Sequence, residues 1–254
     1  MRIVVTTGRE RSLAHELEAQ ELAERCGLPF ASRADRRLEA VAAGTGAEVL
    51  GICGADGLVL WRGGVRLRFS AGMAELRIKR VLAGEHEPLV QLGELRSGDT
   101  VLDCTLGLAR DAMVMAASGA RVLGLEAVPL LAAFCEAGLR SIDGAAGQVA
   151  SRVRVETAGY AQFLAAAPAR SHDVVYLDPM FTEEVAMPPE YELFRALADA
   201  SPLAPDAVAQ ARRVARRAVI IKDGPRGNLV KGLGLPLREL TFGTRVRYAR
   251  LDPA

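Results

Sequence analysis

A carboxylate, a proline and an aromatic ring follow one apolar run of the sequence, as Asp178, Pro179 and Phe181. The carboxylate of Asp178, or the backbone carbonyl of Pro179, could accept a hydrogen bond from an exocyclic amine. The ring of Phe181 could stack on the base that carries this amine. The alternative is a turn that only ends a strand, with the ring packed beneath it. We predict that these three are the catalytic residues, with Asp178 orienting the amine and Phe181 forming a stacking wall.

A second group of chemically capable residues precedes this segment. Asp103 ends one predicted strand and Glu126 ends the next, 23 residues later. Between them, Gly107 lies in a turn, and Arg110 and Asp111 begin a helix. A carboxylate at the position of Glu126 can accept hydrogen bonds from both hydroxyls of a ribose. The pattern predicts a ribose-bearing cofactor, with Asp103 bracing the turn, whereas a turn used only for packing is the alternative.

The charge at the helix start distinguishes two classes of ribose-bearing cofactor. A dinucleotide fold brings a pyrophosphate onto a glycine-rich turn and a helix N-terminus. This turn has the single glycine Gly107 and the acidic Asp111. A carboxylate repels a pyrophosphate but attracts the ammonium of S-adenosylmethionine (SAM), so the turn favours SAM over a dinucleotide.

Alternating strands and helices must position these residues. After residue 100 the sequence alternates apolar strands with helices, which predicts a Rossmann-like α/β fold: a mostly parallel sheet with helices on both faces. Such sheets bind ligands at the carboxyl ends of their strands. A helix at Pro205–Arg216 precedes the last parallel strand, and an antiparallel pair, Leu237–Thr241 and Arg245–Leu251, closes the sheet. The predicted parallel strands are Thr100–Asp103, Arg121–Glu126, Arg152–Glu156, Asp173–Asp178 and Ala218–Lys222.

Residues 1–70 are predicted to form a separate small α/β unit, and residues 71–254 the larger core domain. A β-branched run at Ile3–Thr7 predicts a strand. Two further apolar runs flank Gly54-Ala55-Asp56-Gly57, which is typical of a hairpin turn. The sequence does not indicate what this unit recognises.

Two blocks of the core resemble class I SAM-dependent methyltransferases. They are Val101-Leu102-Asp103-Cys104-Thr105-Leu106-Gly107-Leu108-Ala109-Arg110-Asp111-Ala112 and Tyr176-Leu177-Asp178-Pro179-Met180-Phe181. More narrowly, the blocks resemble the signatures D-A-T-A-G-L-G-R-D and Y-L-D-P-M-F of the bacterial 16S ribosomal RNA guanine-N2 methyltransferase family. The resemblance extends from about Ala71 to the C-terminus.

This resemblance implies a role for each matching residue. It implies that Arg110 and Asp111 hold the methionine end of SAM, and that Asp178 lies where cofactor and substrate meet. The ribose contact falls to Glu126-Ala127, and the adenine contact to Gly159-Tyr160. The chain departs from the family at Ala109, where the family has glycine, and at Gly159-Tyr160, where it has small hydroxyl residues. An acidic, proline-bearing segment, Thr182–Pro189, stands where the family has a lysine-rich stretch.

The overall charge excludes a wholly basic surface for nucleic acid, because 32 Lys and Arg nearly balance 31 Asp and Glu. A local basic face remains possible. Between residues 62 and 80 there are six basic residues and one acidic residue. A solvated charged face is the alternative to an RNA contact. The predicted RNA patch consists of Arg66, Arg68, Arg77, Lys79 and Arg80.

Composition excludes several other classes of protein. The four cysteines stand far apart and there are only three histidines, which predicts no metal site and a reducing compartment. No apolar run approaches the length of a membrane span and no leader opens the chain, so we predict a cytoplasmic protein without a membrane partner.

Three functions therefore remain open at this point. The first is a SAM-dependent methyltransferase acting on an exocyclic base amine of RNA, with guanine N2 of ribosomal RNA as the expected target. The second is a small-molecule methyltransferase on the same fold, which the acidic segment and the near-zero net charge favour. The third is a catalytically inactive cofactor-binding protein. The oligomeric state is not predicted.

Overall fold

The computed structural model describes residues 1–10, 12–72, 74–180, 188–203, 205–224, 226–233, 238–242 and 246–254, the range 238–242 as backbone only. Contacts between Cα atoms divide the chain into two compact units. In chain order the helices and strands are β1 (Ile3–Thr7), α1 (Leu13–Cys26), α2 (Leu38–Thr45), β2 (Val49–Gly54), β3 (Gly57–Arg62), β4 (Val65–Leu67), α3 (Ala74–Leu82), α4 (Pro88–Leu92), β5 (Thr100–Asp103), α5 (Arg110–Ala117), β6 (Arg121–Glu126), α6 (Pro129–Arg140), α7 (Gly144–Ala150), β7 (Val153–Thr157), α8 (Tyr160–Ala166), β8 (His172–Leu177), α9 (Pro189–Leu197), α10 (Pro205–Val214), β9 (Ala215–Asp223), α11 (Asn228–Leu233), β10 (Arg238–Phe242) and β11 (Val246–Leu251).

The first unit contains a four-stranded sheet in the order β1-β2-β3-β4. β1 and β2 are parallel, and the remaining pairs are antiparallel. Val4, Leu50 and Trp61 occupy one row across the sheet and pack against Leu38 and Val41 of α2, as the two-residue period of a half-buried strand requires. This apolar cluster forms a core of its own.

Two later segments of the chain also belong to the first unit. The unit comprises Met1–Ser70, Val128–Ser141 and Ala186–Ala198, the last of which is described from Pro188 onward. Within it, the rings of Phe69 and Phe134 pack edge to face at a centroid distance of 5.9 Å. α6 and α9 belong to the first unit, although both come after residue 70 in the sequence. The division into domains 1–70 and 71–254 remains a prediction.

The second unit is built on a seven-stranded sheet in the order β10-β11-β9-β8-β5-β6-β7. The strands from β5 to β9 are parallel, whereas β11 is antiparallel to both β9 and β10. This confirms the predicted Rossmann-like fold and its antiparallel C-terminal pair. The predicted helix Pro205–Arg216 is two residues too long, because α10 ends at Val214 and Ala215 already pairs with His172 of β8.

One face of this sheet packs into an apolar core, and the other carries the side chains of Tyr176 and Lys222. One face is apolar and packs against α8 and α10. Its buried members include Leu102, Leu125, Leu164, Val175, Leu177, Val208, Ala211, Val219 and Ile221. Tyr176 and Lys222 alternate with these residues along β8 and β9, so they point to the opposite face, where Tyr176 contacts α5.

Within the described ranges, no helix has the length and apolarity needed to cross a membrane.

Candidate active site

The carboxyl ends of the parallel strands bring several predicted site residues to one edge of the sheet. β5 ends at Asp103, β6 ends at Glu126, and Asp178 follows the last residue of β8. β5 and β8 are neighbours, with β6 beyond one and β9 beyond the other. Open α/β sheets bind ligands at such a switch point, because the connections diverge there and leave a crevice. Asp103 and Asp178 therefore lie where this fold binds ligands.

Asp111, in the first turn of α5, is the centre of a hydrogen-bonded network on the face of the sheet that carries Tyr176 and Lys222. Its Oδ1 accepts a hydrogen bond from Nη1 of Arg77. Its Oδ2 accepts hydrogen bonds from the hydroxyl of Tyr176 and from Nζ of Lys222, each at 2.8 Å. The side chain of Asp111 is only 10% exposed. Both of its oxygens are thus occupied by groups of the chain itself.

These contacts set the charge of Asp111. Burial raises its pKa, but Lys222 and Arg77 outweigh burial and hold the pKa of Asp111 well below its usual range. Because two cations already face this carboxylate, its attraction for a third cation, the ammonium of SAM, is largely compensated. Asp111 is therefore an ionised centre that organises the site, and the assignment of Arg110 and Asp111 to the methionine end of SAM remains a prediction.

Lys222 extends the network to Asp178. Nζ of Lys222 lies 2.7 Å from Oδ2 of Asp178. Burial raises the pKa of Asp178, an effect that Lys222 opposes and Asp111 reinforces. Burial lowers the pKa of Lys222, but Asp111 and Asp178 outweigh it and raise that pKa well above its usual value. Lys222 is therefore an ammonium at neutral pH.

Arg77 of α3 belongs to this network, and its place in the predicted RNA patch remains a prediction. Besides the contact with Asp111, its Nε donates a hydrogen bond to Oε1 of Glu87 at 3.2 Å. Glu87 is 3% exposed and Arg77 25% exposed. Burial lowers the pKa of Arg77, but Glu87 and Asp111 outweigh burial and raise this pKa above its usual value. Its guanidinium forms ion pairs with two carboxylates. A count of charges along the sequence cannot distinguish such a half-buried arginine from an arginine on the surface.

The other residues of the predicted patch are divided between the two units. In the first unit, Arg66 is exposed on β4, and Arg68 forms an ion pair with Asp56 at 2.9 Å. In the second unit, Lys79 and Arg80 are exposed on α3. An RNA contact by these four residues remains a prediction.

Thr105 connects the turn after β5 to Asp178. Its N–H donates a hydrogen bond to Oδ1 of Asp103 at 3.0 Å, and its Oγ1 accepts one from the N–H of Asp178 at 2.6 Å. Burial raises the pKa of Asp103 to about 8, although the bond from Thr105 lowers it. The geometry fits the bracing role predicted for Asp103, and it fixes the backbone at Asp178.

The turn after β5 has the backbone and the acidic neighbour that a SAM site needs. Gly107 and Ala109 both have positive φ angles, 53° and 58°. At Gly107 this conformation carries no side chain, so the backbone can approach a ligand closely. Glu126 ends the adjacent strand and is 7% exposed. The carboxylate of Glu126 can accept hydrogen bonds from the ribose hydroxyls of SAM, and the turn at Gly107 leaves room for the ligand beside it.

The remaining cofactor positions lie next to Glu126. The N–H of Ala158 donates a hydrogen bond to the carbonyl oxygen of Glu126 at 3.0 Å, which brings the turn containing Gly159 beside the end of β6. Tyr160 begins α8 and packs against the apolar core. Ala127 is exposed directly after Glu126. Contacts of these residues with adenine and ribose remain predictions.

Two predicted features lie outside the described residues: Phe181 and most of the acidic segment, Thr182–Met187. Pro179 is buried at the end of β8. In the described parts of the chain, no group of three or more His, Cys, Asp or Glu side chains is arranged to hold a metal ion.

Sequence reasoning missed Lys222, Thr105 and Glu87 as members of this site. Lys222 had one available signal, because it ends the predicted strand Ala218–Lys222 at the edge where such sheets bind ligands. Thr105 and Glu87 had none, since their roles depend on partners that the fold alone brings close.

Known proteins provide an independent comparison. A family model described as "Putative SAM-dependent methyltransferase" matches residues 59–235. The chain is 33% identical over 237 residues to ribosomal RNA small subunit methyltransferase J of Laribacter hongkongensis, covering 85% of this chain and 84% of that protein. It is 30% identical over 227 residues to the uncharacterized protein YpiP of Bacillus subtilis, covering 87% and 88%.

A solved structure agrees with the fold. The crystal structure of a SAM-dependent methyltransferase from Neisseria gonorrhoeae matches with a TM-score of 0.66 and 20% identity, covering 98% of this chain and 96% of that one. The family model spans more than half of the chain, and a relative of similar length exceeds 30% identity. The chain therefore belongs to the class I SAM-dependent methyltransferases.

Proposed function

We propose that this methyltransferase acts on an exocyclic amine of a base in RNA, and that its target is guanine N2 of ribosomal RNA. The observation that carries the proposal is the position of Asp178, a carboxylate at the sheet's switch point with Oδ2 held by Lys222 at 2.7 Å. The proposal that the substrate is ribosomal RNA rests on the name of the relative from Laribacter hongkongensis.

The residues around the glycine turn would hold SAM. Glu126 would accept hydrogen bonds from the ribose hydroxyls, Arg110 would bind the methionine carboxylate, and Gly159 with Tyr160 would adjoin the adenine. SAM supplies a methyl group on a positively charged sulfur, which keeps the electron pair of the broken carbon–sulfur bond when the substrate nitrogen bonds to the methyl carbon. Nothing in this chemistry requires a metal or a covalent enzyme intermediate.

The chain's main task is alignment of the amine. Asp178 and the carbonyl of Pro179 would accept hydrogen bonds from its two N–H groups, and this directs the nitrogen lone pair toward the methyl group. The alkylated nitrogen becomes acidic and loses a proton to solvent, so a strong base is unnecessary. An orienting carboxylate that is ionised and fixed suffices.

Methylation of a ring carbon through a covalent cysteine adduct finds no support at this edge of the sheet. Cys104 is the cysteine next to Asp103, and it is buried. Burial raises the pKa of its thiol well above the usual value, and Asp103 adds to this. A thiolate nucleophile is therefore unavailable at that position.

The proposal is tested with methyl-labelled SAM and small ribosomal subunits, or naked ribosomal RNA, from a strain that lacks the gene. We expect label in N2-methylguanine, and a loss of about 100-fold in Asp178→Asn because the amine is no longer aligned. Calorimetry must show that this variant still binds SAM. Label in neither RNA substrate, although the wild-type protein binds SAM, would refute the proposal and favour a small-molecule substrate.

A further inference from the structure

Lys222 lies between the carboxylates of Asp111 and Asp178. β8 and β9 are parallel, and Leu177 pairs with Ile221, so Lys222 comes level with Asp178 at the sheet edge. Its Nζ is 2.8 Å from Oδ2 of Asp111 and 2.7 Å from Oδ2 of Asp178. The exposed fraction of the Lys222 side chain is 18%. One ammonium thus joins the centre of the network to the predicted catalytic carboxylate.

The other contacts of Asp111 fix the position of this ammonium. Asp111 is held by Arg77 and by the hydroxyl of Tyr176 in addition to Lys222. Asp178 is held through its backbone by Thr105. Its side chain has the ammonium of Lys222 as its cationic hydrogen-bond donor, so the direction of the carboxylate depends on Lys222.

The charge state of Asp178 depends on Lys222 as well. Burial and the nearby Asp111 both favour the neutral acid, and the positive charge of Lys222 opposes them. The more distant Arg77 acts in the same direction as Lys222. The titratable and charged groups that face Asp178 from the packed elements are Arg77 of α3, Asp103 of β5, Asp111 of α5, Tyr176 of β8, Lys222 of β9 and Tyr248 of β11.

We propose that Lys222 is a positioning residue for methyl transfer, whose positive charge favours the ionised form of Asp178 and whose ammonium engages its Oδ2 so that Oδ1 accepts the hydrogen bond of the substrate amine. This role rests on the proposed function of Asp178. In this role Lys222 acts on the carboxylate of Asp178 and does not touch the substrate.

The first test uses the ligand-free protein and requires no RNA. The 13C signal of the Asp178 carboxyl, identified by its loss in Asp178→Asn, is titrated by NMR in wild type, Lys222→Met and Lys222→Arg. Because a cation is removed, we expect the midpoint to rise by about one pH unit or more in Lys222→Met. Lys222→Arg and the control Lys231→Met, on an exposed lysine of α11, should stay near wild type. An unchanged midpoint in Lys222→Met would overturn the proposal.

The second test is the pH profile of kcat with saturating SAM and ribosomal substrate. Lys222→Met should lose about tenfold in kcat at one pH unit below the carboxyl midpoint that NMR gives for this variant, recover as the pH rises, and keep its KM for SAM within about twofold. Lys222→Arg should rescue most of the loss. A loss that is equal at every pH, or equal in both variants, would mean a structural role only and overturn the proposal.

A third variant and the NMR arm keep the two proposals separate. If Lys222→Met melts within the assay range, Lys222→Gln retains a hydrogen-bond donor to Asp111 and carries the same expectations. If the wild-type enzyme methylates no RNA, the proposed function fails, and the carboxyl titration still decides whether Lys222 controls Asp178.

Discussion

Replacement of Arg77 by methionine should destabilise the protein through the carboxylates that it leaves behind. Glu87 is 3% exposed and Asp111 10% exposed, and both face the guanidinium. Removing one partner of a buried ion pair typically costs about 3–5 kcal/mol, because the remaining charge is buried without compensation. Asp111 keeps Lys222 as a second cation, so we expect a loss of about 3 kcal/mol in the free energy of unfolding.

The assay is urea denaturation followed by circular dichroism, with Lys79→Met as the matched control. Lys79 lies on the same helix but is exposed, so its replacement should change the free energy of unfolding by less than about 0.5 kcal/mol. Equal, small effects of both substitutions would refute the reasoning. They would mean that Arg77 faces solvent, as expected of an RNA contact.

The pH dependence adds a signature to this prediction. The folded-state pKa of Asp111 is depressed, so the stability it contributes is fully present above its unfolded pKa of about 3.9 and is lost as the pH falls through the folded value. Arg77→Met removes one of the two cations that depress this pKa. The difference in stability between wild type and variant should therefore shrink as the pH falls below about 4.

Three further predictions test other parts of the site. Tyr176→Phe removes the 2.8 Å hydrogen bond to Asp111 and should cost about 1–2 kcal/mol in urea denaturation, and no change would contradict that bond. Glu126→Ala should weaken SAM binding at least about tenfold by calorimetry, and unchanged affinity would remove Glu126 from the ribose site. Lys79→Glu with Arg80→Glu should raise the KM for ribosomal RNA and lower the salt slope of binding by about one for each phosphate that the protein no longer neutralises. Arg140→Glu, an exposed change on α6, is its control, and an equal effect there would indicate charge alone.

The sequence predicts the edge where the site lies, and it predicts Asp103, Glu126 and Asp178 at that edge, because strand ends are local features of apolar pattern and turn residues. It does not predict the network behind them. Lys222 meets Asp111 across 111 residues and Asp178 across 44, and no local pattern carries such pairings. Arg77 meets Asp111 across 34 residues, so it counts as one more charge in a basic run until the fold shows its partners.

Tertiary context overrides local propensity at the start of β9, and it also decides the unit to which α6 belongs. Ala215 and the arginines after it favour a helix by composition, yet pairing with β8 makes them the start of β9. α6 follows β6 along the chain, and it groups with the first unit, where Leu130 lies beside Gly51 of β2. Neither outcome is encoded in a window of neighbouring residues.

Nucleoside mass spectrometry of ribosomal RNA tests the central claim most directly. RNA from a strain without the gene is compared with RNA from the same strain carrying the wild-type gene or Asp178→Asn. We predict that the N2-methylguanosine content of this RNA falls without the gene and returns with the wild type but not with the variant. An unchanged N2-methylguanosine content in the strain without the gene would contradict the claim.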